Sequence, residues 1–411
     1  MRRSSTPAAA AAFAFALAGF AASPARAVPV ATALSVSLVN STAQLVKQRL
    51  AETATDTWVA GTQLEALLEY DYPSLTVFSS PVAYPPSFST GLPSEVTSLV
   101  SSWALKRPSW TQELAYENNG AAGDPAALGV GWLVAAAAEG EAGDEGTQAT
   151  YVSQVKEEVS YLLNSVPRTS DGAISHRPSS EAVQLWSDFM YMVPPLLAYQ
   201  AIATSNSDLL QMAYNQCKLY RQYLRDLSTG AWKHIVLGTW QDNGLWNTGN
   251  GWAAAGMTRV LATIVNSQYN ETFTSQASDL EEWTNEILEA AFSHIKSDNL
   301  LPNYYDTASG SSFSDAAGSA LLAAATYRLA TINELAISDS TLATAGKIRV
   351  AVNNAVDLTT GWLAPVVNPL SFKEQSSKSP EGEAFVLLLQ AAWRDYTART
   401  VGSSFVDLTT M

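Results

Sequence analysis

Apolar residues recur at three- and four-residue spacing along most of this chain, for example over residues 153–163 and 209–224. That is the period of an amphipathic helix. Alternating stretches rich in Val and Ile are scarce and no strand–helix alternation appears, which argues against a parallel sheet and for an all-α fold. A slower rhythm runs beneath. Six segments share a polar or Gly-containing start followed by a nearly uncharged run of Ala, Leu, Gly and Met. They begin near Trp58, Asp124, Asp188, Gly249, Asp315 and Glu381, at intervals of 66, 64, 61, 66 and 66 residues. Between them lie more charged stretches, residues 95–106, 153–163, 208–227, 275–295 and 341–356. A helix apolar nearly all round belongs in an interior, and an amphipathic one on a surface. Six inner helices alternating with outer ones predict an (α/α)6 toroid of six helical hairpins. An open solenoid is the alternative that the same period supports.

The N-terminus has a different character. Arg2 and Arg3 precede an apolar run over residues 8–22, and Ala25-Arg26-Ala27 is a small-x-small cleavage site. Residues 1–27 are therefore expected to be a secretory signal peptide, too short in its apolar part to span a bilayer. Residues 28–411 would then form a single exported, extracellular domain. With Cys217 the sole cysteine, no intrachain disulfide can form and stability must come from packing. Asn40-Ser41-Thr42 and Asn270-Glu271-Thr272 are N-glycosylation sequons. The 38 acidic and 23 basic residues give a formal charge of −15, and loss of Arg2, Arg3 and Arg26 makes it −18. Such a charge disfavours nucleic acid and anionic membranes as partners.

In a toroid the starts of the inner helices open at one end, where their partial positive charge points. Asp124, Asp188, Asp315 and Glu381 stand at these starts, with Trp246, Asn250 and Trp252 at the fourth, "GLWNTGNGWAAAGM". An Asp before a helix ordinarily caps it, and that reading applies to Asp315 and Asp124. Asp188 is crowded by Trp186, Phe189 and Tyr191; such surroundings raise a carboxyl pKa and suit a general acid. His176 and His234 fall in loops at the same end, beside the basic Arg177 and Lys233, whereas His294 lies within an outer helix. There is no HExxH, Cys/His cluster, GxSxG, P-loop or dinucleotide fingerprint, so no metal or cofactor is expected.

The stretches "DGAISHRP", "QLWSDFMYMVPPLLA" and "GLWNTGNGWAAAGM" resemble the unsaturated uronyl hydrolases of glycoside hydrolase family 105, with family 88 a more distant relative. The likeness is strongest over residues 124–259 and weaker to the end. It implies the same toroidal fold and removal of a terminal 4,5-unsaturated uronic acid from lyase-generated, pectin-derived oligosaccharides. In that chemistry an aspartate protonates C4 of a vinyl ether and water adds at C5. The resemblance makes Asp188 the acid/base and Asp124 its support. It assigns substrate contacts to His176, Arg177, His234, Trp246, Thr248, Asn250 and Trp252, with Trp186 and Met192 from the Asp188 motif. Trp246 and Trp252 would be rings stacked on the sugar, although Trp252 also suits a helix core. Thr248 departs from the family pattern, which has an arginine there. A carboxylate clamp would then fall to Arg177, Lys233, Lys373 or Lys378. Two other readings remain: a conventional glycosidase with two carboxylates about 5 Å or roughly 6.5–9.5 Å apart, and a non-catalytic sugar-binding toroid.

Overall fold

The computed structural model describes residues 38–116, 120–177, 182–307 and 312–401. The expected signal peptide lies outside them. Twelve long helices run through the described residues. The odd-numbered ones are outer: α1 (Asn40–Thr53), α3 (Ser94–Ala104), α5 (Glu145–Asn164), α7 (Ser207–Leu224), α9 (Thr274–Phe292) and α11 (Asp339–Ala355). The even-numbered ones are inner: α2 (Thr57–Asp71), α4 (Gly129–Glu141), α6 (Phe189–Ala203), α8 (Asn247–Val265), α10 (Ala316–Ile332) and α12 (Pro380–Val401). Each inner helix packs on the next, and α12 returns to α2. That contact closes the ring and decides for the toroid over the solenoid. The segment from Asp124 is interrupted, a single turn Gly123–Ala126 preceding α4. The outer helix α1 was not among the amphipathic stretches read from the sequence.

Three of the outer helices begin where a side chain accepts an orphan amide: Asp144 from Thr147, Asn206 from Leu209 and Ser338 from Thr341, at 3.0–3.1 Å. The cap at Asp144 starts α5 eight residues ahead of its apolar period. The inner helices are buried almost throughout, and small residues let them close on one another. Pro194 and Pro195 lie inside α6. Pro194 has no amide to give to the Met190 carbonyl four residues back, and α8 passes against that carbonyl at Gly256. A Cβ on Gly256 would lie 1.9 Å from Met190 O.

The two ends of the ring differ. At the C-terminal ends of the inner helices, Arg259 pairs with Glu69 and, at 3.7 Å, Glu65; Arg328 pairs with Glu69 at 2.8 Å and Asp395 at 2.6 Å. Both guanidiniums lie over Phe78, from the connection between α2 and α3. That connection is tied down by Val82 N–H to Asn266 O (2.8 Å) and Asn266 Nδ2 to Val77 O (3.0 Å). The void left here is about 10 Å³, room for one water at most.

At the opposite end the rim is built from short antiparallel pairs in the connections. They are β1 (Gln184–Trp186) with β2 (Ile235–Leu237), β3 (Leu301–Pro302) with β4 (Ser314–Asp315), and β5 (Val366–Asn368) with β6 (Ser371–Ser376). Trp58 Nε1 donates to Glu381 Oε2 at 3.1 Å, joining the first and last inner helices at this rim.

Candidate active site

Asp188 occupies the position before α6 where a capping residue would sit, yet its side chain makes no capping bond. It accepts instead from Ser187 Oγ at 3.1 Å, and His234 Nε2 lies 3.5 Å from its Oδ2. The backbone sets this up. Ser187 N–H bonds His234 O at 2.9 Å as β1 pairs with β2, so Asp188 and His234 meet from adjacent strands. His234 is fully buried and its Nδ1 stands 3.1 Å from Asp242 Oδ2. Tyr304 donates to the same oxygen at 2.5 Å.

Charge, more than the aromatic surroundings, governs Asp188. Burial pushes its carboxyl up, but the hydrogen bond and charge of His234, with His176 further off, outweigh burial and leave it below the ordinary aspartate value. The raised pKa expected from the sequence is thus reversed. Burial lowers the His234 imidazole, but Asp188 and Asp242 together raise it above the ordinary histidine value. Asp242 is pushed up by burial and pulled down further by His234 and Tyr304, to about 2.

His176 forms the second half of the site. Its backbone bonds Gln184 O (2.9 Å) and Ala122 N–H (2.8 Å), which sets its Nε2 3.5 Å from Asp124 Oδ1. Gly123 is required here, since a Cβ would lie 2.5 Å from His176 Nδ1. Burial holds this imidazole at about 4, against the pull of Asp188, so it is neutral near pH 7. Asp124 therefore meets a histidine and does not cap its turn. Asp315 does cap, accepting from Ala317 and Gly318 at 3.1 and 3.0 Å.

The sequence-predicted aromatic residues divide. Trp186 lies between the two imidazoles, 5.0 Å from His176 and 5.6 Å from His234, with the Arg177 guanidinium 5.5 Å over its ring. Trp246 is 1% exposed, donates to Asn303 Oδ1 at 3.0 Å and packs 4.3 Å from His234. Trp252 is 1% exposed between Tyr191 and Phe385. The expected sugar-stacking pair is thus corrected: Trp252 is core, and Trp246 is a buttress behind His234. Met192 is core as well. Asn250 is buried, its amide holding the Trp232 and Trp246 backbone at 2.7–2.9 Å. Thr248 is buried on Asp315. These residues shape the rim from beneath.

Two aromatic residues that the sequence reading missed, Trp240 and Phe372, supply open surface. Trp240, 47% exposed, meets the Trp186 edge at 5.5 Å, and Phe372 lies 4.5 Å from His234 and 5.9 Å from Trp186. Lys373 stands 5.9 Å over the Tyr304 ring. Glu381, buried and bonded to Trp58, is pushed up to about 8 by burial. Lys233 is partly exposed beside His234, and Lys378 lies over Trp362. The missed residues sit in loops with no period to reveal them; only the "KHIVLGTWQDNG" stretch, with Lys233, His234, Trp240 and Asp242 together, carried a usable signal.

Residues 144–327 match the sequence model of Glycosyl Hydrolase Family 88. No match to the sequence of a curated protein was found. Among solved structures, a possible family 105 member from Salmonella enterica serovar Paratyphi A aligns with TM-score 0.69 at 16% identity, covering 92% of this chain and 100% of its own. A family 88 glycosyl hydrolase from Bacteroides vulgatus gives 0.60 at 12% over 86% and 99%. The unsaturated glucuronyl hydrolase of Bacillus sp. GL1 gives 0.59 at 14% over 86% and 94%. At these identities the likeness is one of fold. Residues 144–327 are thus similar in sequence to glycoside hydrolase family 88, and the ring of six hairpins that carries them is similar in fold to structures of families 88 and 105.

Proposed function

We propose that the protein is an exported hydrolase that removes a terminal 4,5-unsaturated uronic acid from lyase-generated oligosaccharides of pectin type. The observation that carries this reading is the placement of Asp188, a buried carboxyl at the rim, excused from capping and 3.5 Å from a histidine whose pKa is raised by Asp188 and Asp242. The sugar carboxylate, arriving in a site shielded from water, raises the Asp188 pKa by like charge and desolvation, and the His234 proton moves to Asp188. Asp188 then protonates C4. The positive charge left at C5 is shared with the ring oxygen, water adds to C5, and Asp188 takes the proton that water releases. The net change is addition of one water across C4=C5. The resulting hemiketal opens the ring, and the bond from C1 to the leaving sugar breaks. Arg177, beside Trp186, serves the carboxylate, and Trp240 and Phe372 offer faces to sugar C–H groups.

Absorbance of the C4=C5 bond tests the proposal on lyase-digested polysaccharides. The wild type is expected to abolish it and Asp188→Asn to leave it intact while unfolding at the wild-type temperature. Turnover of saturated glycosides alone would indicate two-carboxylate glycosidase chemistry. A rise in absorbance would indicate elimination. Binding without product would indicate a sugar-binding toroid.

A further inference from the structure

Asp242 and Tyr304 have no place in the reading above, yet Asp242 makes the shortest side-chain polar contact to the histidine that serves it, and Tyr304 bonds Asp242 in turn. Asp242 reaches His234 because residues 235–242 fold back on themselves. Ile235 and Asp242 exchange both backbone hydrogen bonds, at 2.8 and 3.1 Å, and His234 N–H bonds Gly244 O at 3.0 Å. The turn between them holds Leu237 at φ 63°, a left-handed conformation uncommon for a branched residue. Such strain persists only where surrounding structure enforces it. Tyr304 arrives from the connection after α9, fixed by its bridge to Trp246.

We propose that Asp242, locked by Tyr304, is a positioning residue that keeps His234 doubly protonated with its Nε2 proton available to Asp188. The chain runs Tyr304 Oη, Asp242 Oδ2, His234 Nδ1, His234 Nε2, Asp188 Oδ2, at 2.5, 3.1 and 3.5 Å across its three gaps. Two carboxylates flank one imidazole, and its other faces meet the uncharged rings of Trp186, Trp246 and Phe372. Other titratable groups nearby are Lys233 next in sequence, neutral His176 and Arg177 beyond Trp186, and Lys373 and Asp306 around Tyr304. His234 Nε2 has no closer hydrogen-bond partner among the described residues, so its proton is not committed elsewhere. Tyr304, as a third donor to Asp242, spreads that carboxylate's charge and keeps it from taking the Nδ1 proton.

This inference rests on the proposed hydration reaction only for its kinetic arm. The first test is activity-free: NMR titration of labelled histidine in the full chain. The His234 resonance is expected to titrate above the ordinary histidine range in the wild type. In Asp242→Asn, which keeps an oxygen acceptor for Nδ1, it falls by about one pH unit or more. In Tyr304→Phe, where Asp242 loses the hydroxyl that holds it against Nδ1, it falls by a smaller amount. On a turned-over substrate, the alkaline limb of kcat/KM should follow the same shifts. A His234 titration unmoved in folded Asp242→Asn overturns the inference. Shifts in the titration without turnover of unsaturated sugars would uphold it and reject the proposed reaction instead.

Discussion

Thr248 Oγ1 donates to Asp315 Oδ2 at 2.8 Å, across the contact between α8 and α10. Asp315 also accepts from Asn247 Nδ2 at 2.9 Å and from the amides of Ala317, Gly318 and Val367. The position where the resemblance implies a carboxylate-binding arginine is here a buried strut. Thr248→Val is expected to cost about 1–2 kcal/mol, one hydrogen bond to a carboxylate that keeps its other donors, with KM unchanged. Thermal unfolding and Michaelis kinetics check both.

Two tryptophans should separate stability from binding. Trp252→Ala empties a core site between Tyr191 and Phe385 and should cost about 3–5 kcal/mol. Trp240→Ala removes an exposed ring and should leave unfolding unchanged while weakening oligosaccharide binding by about 1 kcal/mol, roughly fivefold. Denaturation curves and calorimetric titration with substrate on an Asp188→Asn background read the two effects apart.

The protein should lose stability as pH rises from about 6.5 to 8. Burial pushes Glu65 up to about 7 and Glu158, Glu381 and Glu383 up to about 8. A folded pKa above the unfolded value means the native chain holds protons that the unfolded chain has already released. Each such carboxyl therefore stabilises at low pH, and its contribution fades as pH climbs through its folded pKa. His176, lowered to about 4, works oppositely and offsets part of that loss up to about pH 6.5, so the net fall shows above it. Glu383 lies outside the site, takes the Leu363 amide on Oε1 and leaves Oε2 without a partner among the described residues. Glu383→Gln copies its protonated form and should flatten the slope of melting temperature against pH.

Gly256→Ala should prevent or severely weaken folding, because its methyl would meet backbone at Met190, which cannot swing aside. Gly146→Ala, exposed on α5 and facing only Asp144 Oδ1 at 3.5 Å, should be neutral or stabilising. Urea titration of the two variants distinguishes a packing constraint from a general intolerance of alanine.

The ring was legible in the sequence because burial imposes a period. Six nearly uncharged runs can only be interior, and their spacing is that of a hairpin. Asp188, His176 and His234 were legible from their motifs. The raised pKa assigned to Asp188 was not correct, because neighbouring rings are visible in the sequence while a histidine 46 residues on is not. Asp242, Tyr304 and Phe372 reach the site from three separate connections whose course is set by strand pairing and turns. Trp252 and Trp240 show the same limit from the other side. Indole composition is identical in a core and in a binding surface, and only the packing of Phe385 and Tyr191 on one of them tells which is which.

The stopper of arginines, glutamates and Phe78 at the far end makes the ring a cup and not a tunnel. No polymer can thread through it. On the proposed function, a glycan would present only its tip and the released sugar would back out past the same rings by which it came in. Processive travel along a polysaccharide would be closed to this architecture, and product would compete with the next chain end for one doorway.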